Sequence, residues 1–207
     1  MTMMTRADEE RNGKLSRIMT DCSIRALETE GNENKYHLSF SSEDPYERWW
    51  GTEILSHADG AVTLDRLNSI GVVLFNHDRD AVIGRIEKAW LENNRGEADI
   101  IFDDDDYMSF VKEKVQSGTL KGVSVGYVVN RWEDVEEGHK TDDGFEGPCY
   151  VAREWTPYEI SIVSVPADPT VGVGRAHEEM PESIPETKGV SSFYYIEKQL
   201  QINKNRR

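Results

Sequence analysis

Between residues 122 and 129 the chain reads Gly-Val-Ser-Val-Gly-Tyr-Val-Val, an alternation that fits a β-strand with two unlike faces. Successive strand side chains point to opposite faces, so Val123, Val125, Tyr127 and Val129 form an apolar face while Gly122, Ser124 and Gly126 share the other. The Ser124 hydroxyl is then expected to stand in a clearing between two positions without side chains. Glycine inside a strand weakens packing and often marks a close approach by a ligand or another chain. The face therefore suits either a tightly packed serine that needs only a hydrogen bond, or a nucleophile that must admit a substrate backbone.

The same reading divides the rest of the chain. Residues 1–20 are polar and aperiodic and are expected to be a disordered leader. Strand-like runs at 22–28 and 36–40 flank the turn-rich segment 30–34 and predict an antiparallel pair. Residues 49–55 are an aromatic-rich strand candidate and 64–69 a short helix or turn. The apolar run Gly71-Val-Val-Leu-Phe75 stops abruptly at Asn76-His77-Asp78. A hairpin over 82–91 and 98–102 turns at Asn93-Asn94-Arg95-Gly96, because Asn and Gly tolerate positive φ. Asp103 to Asp106 open a helix in which Tyr107, Phe110, Val111 and Val115 make one stripe, and Gly118 stops it. Those four aspartates lack the alternating ligand spacing and central glycine of a calcium loop. The strand carrying Ser124 runs to about Trp132, and the acidic stretch 133–146 reads as a solvated or disordered loop. Residues 150–165 form a long strand, kinked or at an edge near Trp155-Thr156-Pro157.

Composition narrows the function classes. The chain has 207 residues, enough for one domain with tails. Charged residues make up 30% of it, so its core must be concentrated in part of the sequence. A net charge of −15 argues against binding a nucleic-acid backbone, which needs a basic stripe. No run approaches the ~18 consecutive apolar residues of a membrane span, and the start lacks a secretory signal's apolar core. A soluble intracellular protein is expected. The two cysteines, Cys22 and Cys149, have no ligand spacing, so no disulfide framework, structural zinc or other metal is implied, and no cofactor.

Two further positions bear on Ser124. His77 ends a buried apolar strand, where the sheet fixes its backbone while the ring can face an open edge, a useful place for a general base. Its bland alternative is a capping or satisfied surface histidine. His37, His57, His139 and His177 lie in weaker settings. Glu159 sits in an otherwise apolar strand, and buried carboxylates are uncommon unless paired.

These segments, Asn76-His77-Asp78 followed by Ile83-Gly84-Arg85, then 118–127, then Tyr158-Glu-Ile-Ser-Ile-Val-Ser-Val-Pro-Ala167, resemble the prohead (capsid maturation) proteases of tailed bacteriophages, the HK97-like type. Each motif alone is weak; their shared order and spacing over residues 21–175 is specific. The resemblance implies an α+β, mainly β fold: a β-barrel flanked by a few helices, similar to the herpesvirus assemblin protease. It implies a serine endopeptidase that works inside the immature capsid in the bacterial host cytoplasm. There it removes scaffold or N-terminal segments of the major capsid protein and cleaves itself. A protease domain at 21–175 would be followed by a linker and tail at 176–207 that docks on a partner. Carried over, the family's histidine falls on His77, its nucleophile on Ser124, and its acid on Glu159, with Asp78, Asp168 or a second histidine as alternatives for the third place. Oxyanion-hole donors, cleavage specificity and oligomeric state stay open, a homo-oligomer among the options. A non-catalytic scaffold or capsid-assembly module on the same fold is the other reading.

Overall fold

Ten strands wrap most of the chain's apolar residues into one curled sheet. The computed structural model describes residues 6–19, 24–27, 34–106 and 109–164, all within one compact unit, Met1–Asp168. In chain order the elements are α1 (Arg6–Arg11), β1 (Lys14–Met19), β2 (Ile24–Ala26), β3 (Lys35–Ser42), β4 (Tyr46–Arg48), β5 (Gly51–Leu55), α2 (Asp65–Ile70), β6 (Val72–Phe75), β7 (Asp78–Glu92), β8 (Arg95–Phe102), α3 (Ser109–Gln116), β9 (Gly122–Val135) and β10 (Cys149–Val163). The sheet runs β1-β9-β10-β6-β7-β8-β3-β2, with the β4–β5 hairpin joined to it through β5 and β10. Pairing is antiparallel except where β10 meets β5 and β6. The fold is mainly β, a curled half-barrel with a few helices, as the sequence leads one to expect.

The core lies where the long strands face each other, with Leu38, Phe40, Ile100, Ile160, Ile162, Tyr127 and Trp155 all fully buried. Each such side chain contributes roughly 1.5–3 kcal/mol by leaving water. The β2–β3 pair and the β7–β8 hairpin form as expected, and Asn93 and Asn94 take φ of 52° and 57° in the turn. Register shifts on either side of Trp155 and Pro157 mark the expected irregularity in β10.

Three expectations are corrected. Residues 6–19 are not a disordered leader: α1 and β1 form there, and β1 buries Leu15, Arg17 and Met19 against β9. The Leu-Ser-Arg-Ile-Met alternation was present, but an arginine at an inward position hid it. The acidic stretch 133–146 is folded rather than disordered. β9 continues through Val135, Lys140 bridges to Glu146, and the Arg153 guanidinium binds both Glu133 (2.5 Å) and Asp143. One half-buried cation offsets the repulsion that made the stretch look unfoldable, holding the Asp143 carboxyl well below the usual carboxylate range. The helix expected from Asp103 begins later, at Ser109, with Val111 and Val115 inward. Tyr107 and the segment 165–207, with the expected linker and tail, lie outside the described residues.

Candidate active site

β9 and β10 build the floor of the site. Their register sets Gly122 against Val163, Ser124 against Ser161 and Gly126 against Glu159, so these six residues share one face. Directly opposed strand residues have Cβ atoms about 5 Å apart, which places the two serines side by side.

His77 arrives from the β6–β7 turn. Phe75 pairs with Asp78, leaving Asn76 (φ 53°) and His77 (φ 60°) as the two turn residues. Two successive positive φ values are what a two-residue hairpin with native twist requires, and asparagine tolerates them better than most residues. Asn76 also fastens the turn to β10. Its N–H donates to the Ile162 carbonyl (2.9 Å), and its Oδ1 accepts from the Ser164 N–H (2.9 Å) and hydroxyl (3.2 Å). So anchored, the imidazole places Nδ1 2.5 Å from Oε1 of Glu159 and 3.4 Å from Oγ of Ser161.

A carboxylate only accepts hydrogen bonds, so Nδ1 donates to Glu159, and in the neutral ring the lone pair then lies on Nε2. Glu159 is 7% exposed, and the His77 side chain 30%. A buried carboxylate is thus paired with a half-open imidazole whose basic nitrogen is not the one the carboxylate holds. A carboxylate that orients an imidazole in this way leaves the other ring nitrogen free to take a proton from a neighbouring group.

Ser124 differs from expectation. It is fully buried, and its hydroxyl donates to the Arg17 carbonyl on β1 at 3.0 Å. The flanking glycines do not leave a clearing, because β10 fills it. A Cβ at Gly126 would lie 2.6 Å from Cγ of Glu159, and one at Gly122 would lie 2.8 Å from the Val163 carbonyl. The small-residue face exists to let Glu159 and Val163 approach.

The other candidates separate cleanly. Asp78 Oδ1 accepts from the Asp80 N–H at 3.0 Å, and the carboxylate on His77 is Glu159's. Asp168 and His177 lie outside the described residues. His37 sits between Glu97 (3.1 Å) and Asp99 (3.0 Å). His57 makes a shorter serine contact than His77 does, with Ser41 Oγ 2.7 Å from its Nε2 and the Leu55 carbonyl 2.9 Å from its Nδ1. That pair is buried against Trp155, and burial lowers the His57 pKa to about 4, so it is a neutral packing element.

Sequence reasoning missed Ser161 and Asn76 as parts of the site. The signals were there: Ser161 is two residues from Glu159 and so on its face, and an asparagine before the histidine at a strand end marks a left-handed turn. Beside Glu159 a cleft of about 520 Å³ opens, lined by Val72, Leu74, Val82 and Val128 together with Lys14, Arg66 and Arg79.

The structure thus brings His77, Glu159 and Ser161 into contact, with Ser124 on the same face but hydrogen-bonded to the Arg17 carbonyl. The family model of the caudovirus prohead serine proteases matches residues 20–183, and the chain belongs to that family. It is 36% identical over 152 residues to the major capsid protein of Halomonas phage phiHAP-1 (isolate -/Gulf of Mexico/-/2001). That match takes in 71% of this chain but only 24% of the relative, so the chain spans about a quarter of that protein's length. Among solved structures it is similar to the bacteriophage T4 capsid assembly protease, gp21, at a TM-score of 0.45 and 12% identity, covering 73% of this chain and 99% of that one.

Proposed function

We propose that this chain is a capsid-maturation serine endopeptidase in which Ser124 is the nucleophile, His77 the general base and Glu159 the residue that orients His77. The observation that carries the reading is the 2.5 Å contact between His77 Nδ1 and Glu159 Oε1 on the face that also bears Ser124. Ser124 Oγ attacks the scissile carbonyl as His77 Nε2 takes its proton, and the amine leaves with that proton. His77 then activates the water that releases the acyl group. Ser161 touches the nitrogen that already faces the carboxylate, so it positions the ring rather than supplying the nucleophile. Family membership and the capsid-protein relative support the major capsid protein and its scaffold segments as substrate, inside the prohead.

One observation favours the alternative of a non-catalytic assembly module: Ser124 is fully buried, with its hydroxyl donating to the Arg17 carbonyl. A fluorophosphonate probe separates the two. The protease reading expects covalent labelling at Ser124 that His77→Ala removes, and loss of co-expressed capsid-protein processing in Ser124→Ala with the fold intact. Processing at the normal rate in Ser124→Ala would sink the assignment.

A further inference from the structure

β1 covers Ser124 as an edge strand that the fold grips through its main chain. It lies at the end of the sheet, paired with β9 from Lys14 opposite Val128 to Met19 opposite Val123. Three successive main-chain carbonyls of β1 each receive a side-chain donor from elsewhere in the fold. Tyr158 Oη reaches the Leu15 carbonyl at 3.5 Å, Arg48 Nη2 the Ser16 carbonyl at 2.8 Å, and Ser124 Oγ the Arg17 carbonyl at 3.0 Å. Contacts to carbonyls hold any extended segment on this course, whatever its side chains.

Side-chain selection is concentrated at Arg17. Its guanidinium is 3% exposed, donates to the Asp44 carbonyl and lies over the Tyr46 ring at 5.3 Å. Glu53, buried beside Tyr127 and shared with the half-buried Arg48, brings negative charge to that pocket. Yet Nε and Nη1 of Arg17 have no partner, so the pocket suits a basic side chain that Arg17 fits imperfectly. Residues 14–19 precede the segment 20–183 matched by the family model.

We propose that β1 is a built-in stand-in for substrate: the β9 edge it covers is the docking edge for an extended polypeptide strand. That strand puts a basic residue in the Arg17 pocket and apolar residues at the Leu15 and Met19 positions. The proposal rests on Ser124 being the nucleophile only in giving the edge its purpose. No peptide reaches a fully buried hydroxyl while β1 is seated, so β1 and substrate exclude each other. A tethered strand competes at an effective concentration on the order of millimolar, so a dilute substrate loses to it and a densely packed one displaces it.

The test uses the full chain carrying Lys14→Cys and Val128→Cys in a Cys22→Ser background, which ties β1 to β9 when oxidised. A fluorescein-labelled hexapeptide of the β1 sequence, Lys-Leu-Ser-Arg-Ile-Met, is compared by anisotropy with one carrying Asp in place of Arg. The reduced chain is expected to bind the Arg peptide at least tenfold more tightly than the Asp peptide, and the oxidised chain to bind neither. Arg17→Asp, which sets an acid against Glu53 and unseats β1, is expected to bind the Arg peptide at least tenfold more tightly than the unsubstituted chain. Equal binding by oxidised and reduced chains, equal binding of the two peptides, or no binding by either the reduced chain or Arg17→Asp overturns the proposal. Peptide binding does not depend on catalysis. If the binding pattern holds while no form is labelled by fluorophosphonate, the nucleophile assignment fails and the docking edge stands.

Discussion

Glu159 lies across Gly126, so that a Cβ on residue 126 would come within 2.8 Å of the same Oε1 that holds the His77 ring. The glycine two residues after the serine is therefore coupled to the acid and, through it, to the base. Strand register makes this coupling, because Gly126 and Glu159 are directly opposed on β9 and β10.

Gly126→Ala is expected to displace the Glu159 carboxylate and free the imidazole while the core beneath stays packed. The labelling rate with a fluorophosphonate should fall at least a hundredfold, since a misoriented base loses most of its contribution. Because the clash includes a side-chain atom that can swing away, the melting temperature should fall by only a few degrees, equivalent to about 1–2 kcal/mol. Labelling at the unsubstituted rate would show that the Glu159 contact is not needed.

Glu159→Gln keeps the shape of the contact and removes its charge. An amide can donate to Nδ1 and so favour the tautomer with the proton on Nε2, which cannot act as a base. A loss of roughly 10³–10⁴ in kcat is expected, with stability nearly unchanged. Single-turnover cleavage of a capsid-protein substrate measures it. A loss below tenfold would move the orienting role to another group.

The period-two alternation made most of the fold legible, together with the Asn-Asn turn and the glycine stop after α3. It also placed Ser124 on a glycine face and Glu159 as a lone acid in an apolar strand. What it could not give was the partner of that face. Whether Gly126 admits a foreign backbone or the chain's own Glu159 depends on which strand lies beside β9 and in what register, and that is a property of topology. β1 was hidden for a related reason. Arg17 broke the apolar alternation because the ring and carboxylate that accept its burial come from residues 29 and 36 positions away.

Asn76→Ala removes the acceptor for the Ser164 N–H and hydroxyl and puts a less tolerant residue at φ 53°. Lost hydrogen bonds and left-handed strain together are expected to cost about 1–3 kcal/mol. The effect on labelling should exceed the effect on the fold, because this turn carries His77. Asn76→Asp, which keeps the oxygen, should recover most of the stability in urea titrations. Equal losses for both variants would show that the Oδ1 contacts do not hold the turn.

Acid should act first through His57. Its ring is buried beside Trp155 and neutral, hydrogen-bonded to Ser41 and the Leu55 carbonyl, with Glu43 4.0 Å away. Desolvation lowers its pKa to about 4, assisted by Arg17 and Arg95, against 6.5 for the unperturbed ring. Between those values the unfolded chain binds a proton that the folded chain refuses. Stability therefore rises with pH across this window and is lost as pH falls from 6.5 towards 4. The full effect is of order 3 kcal/mol, and it is spent by about pH 4. Urea unfolding of the unsubstituted chain at pH 4.5, 5.5 and 7 should show this slope. His57→Gln, although less stable overall, should show a flatter pH dependence over the same range. Matching slopes in the two proteins would mean that other groups carry the acid sensitivity.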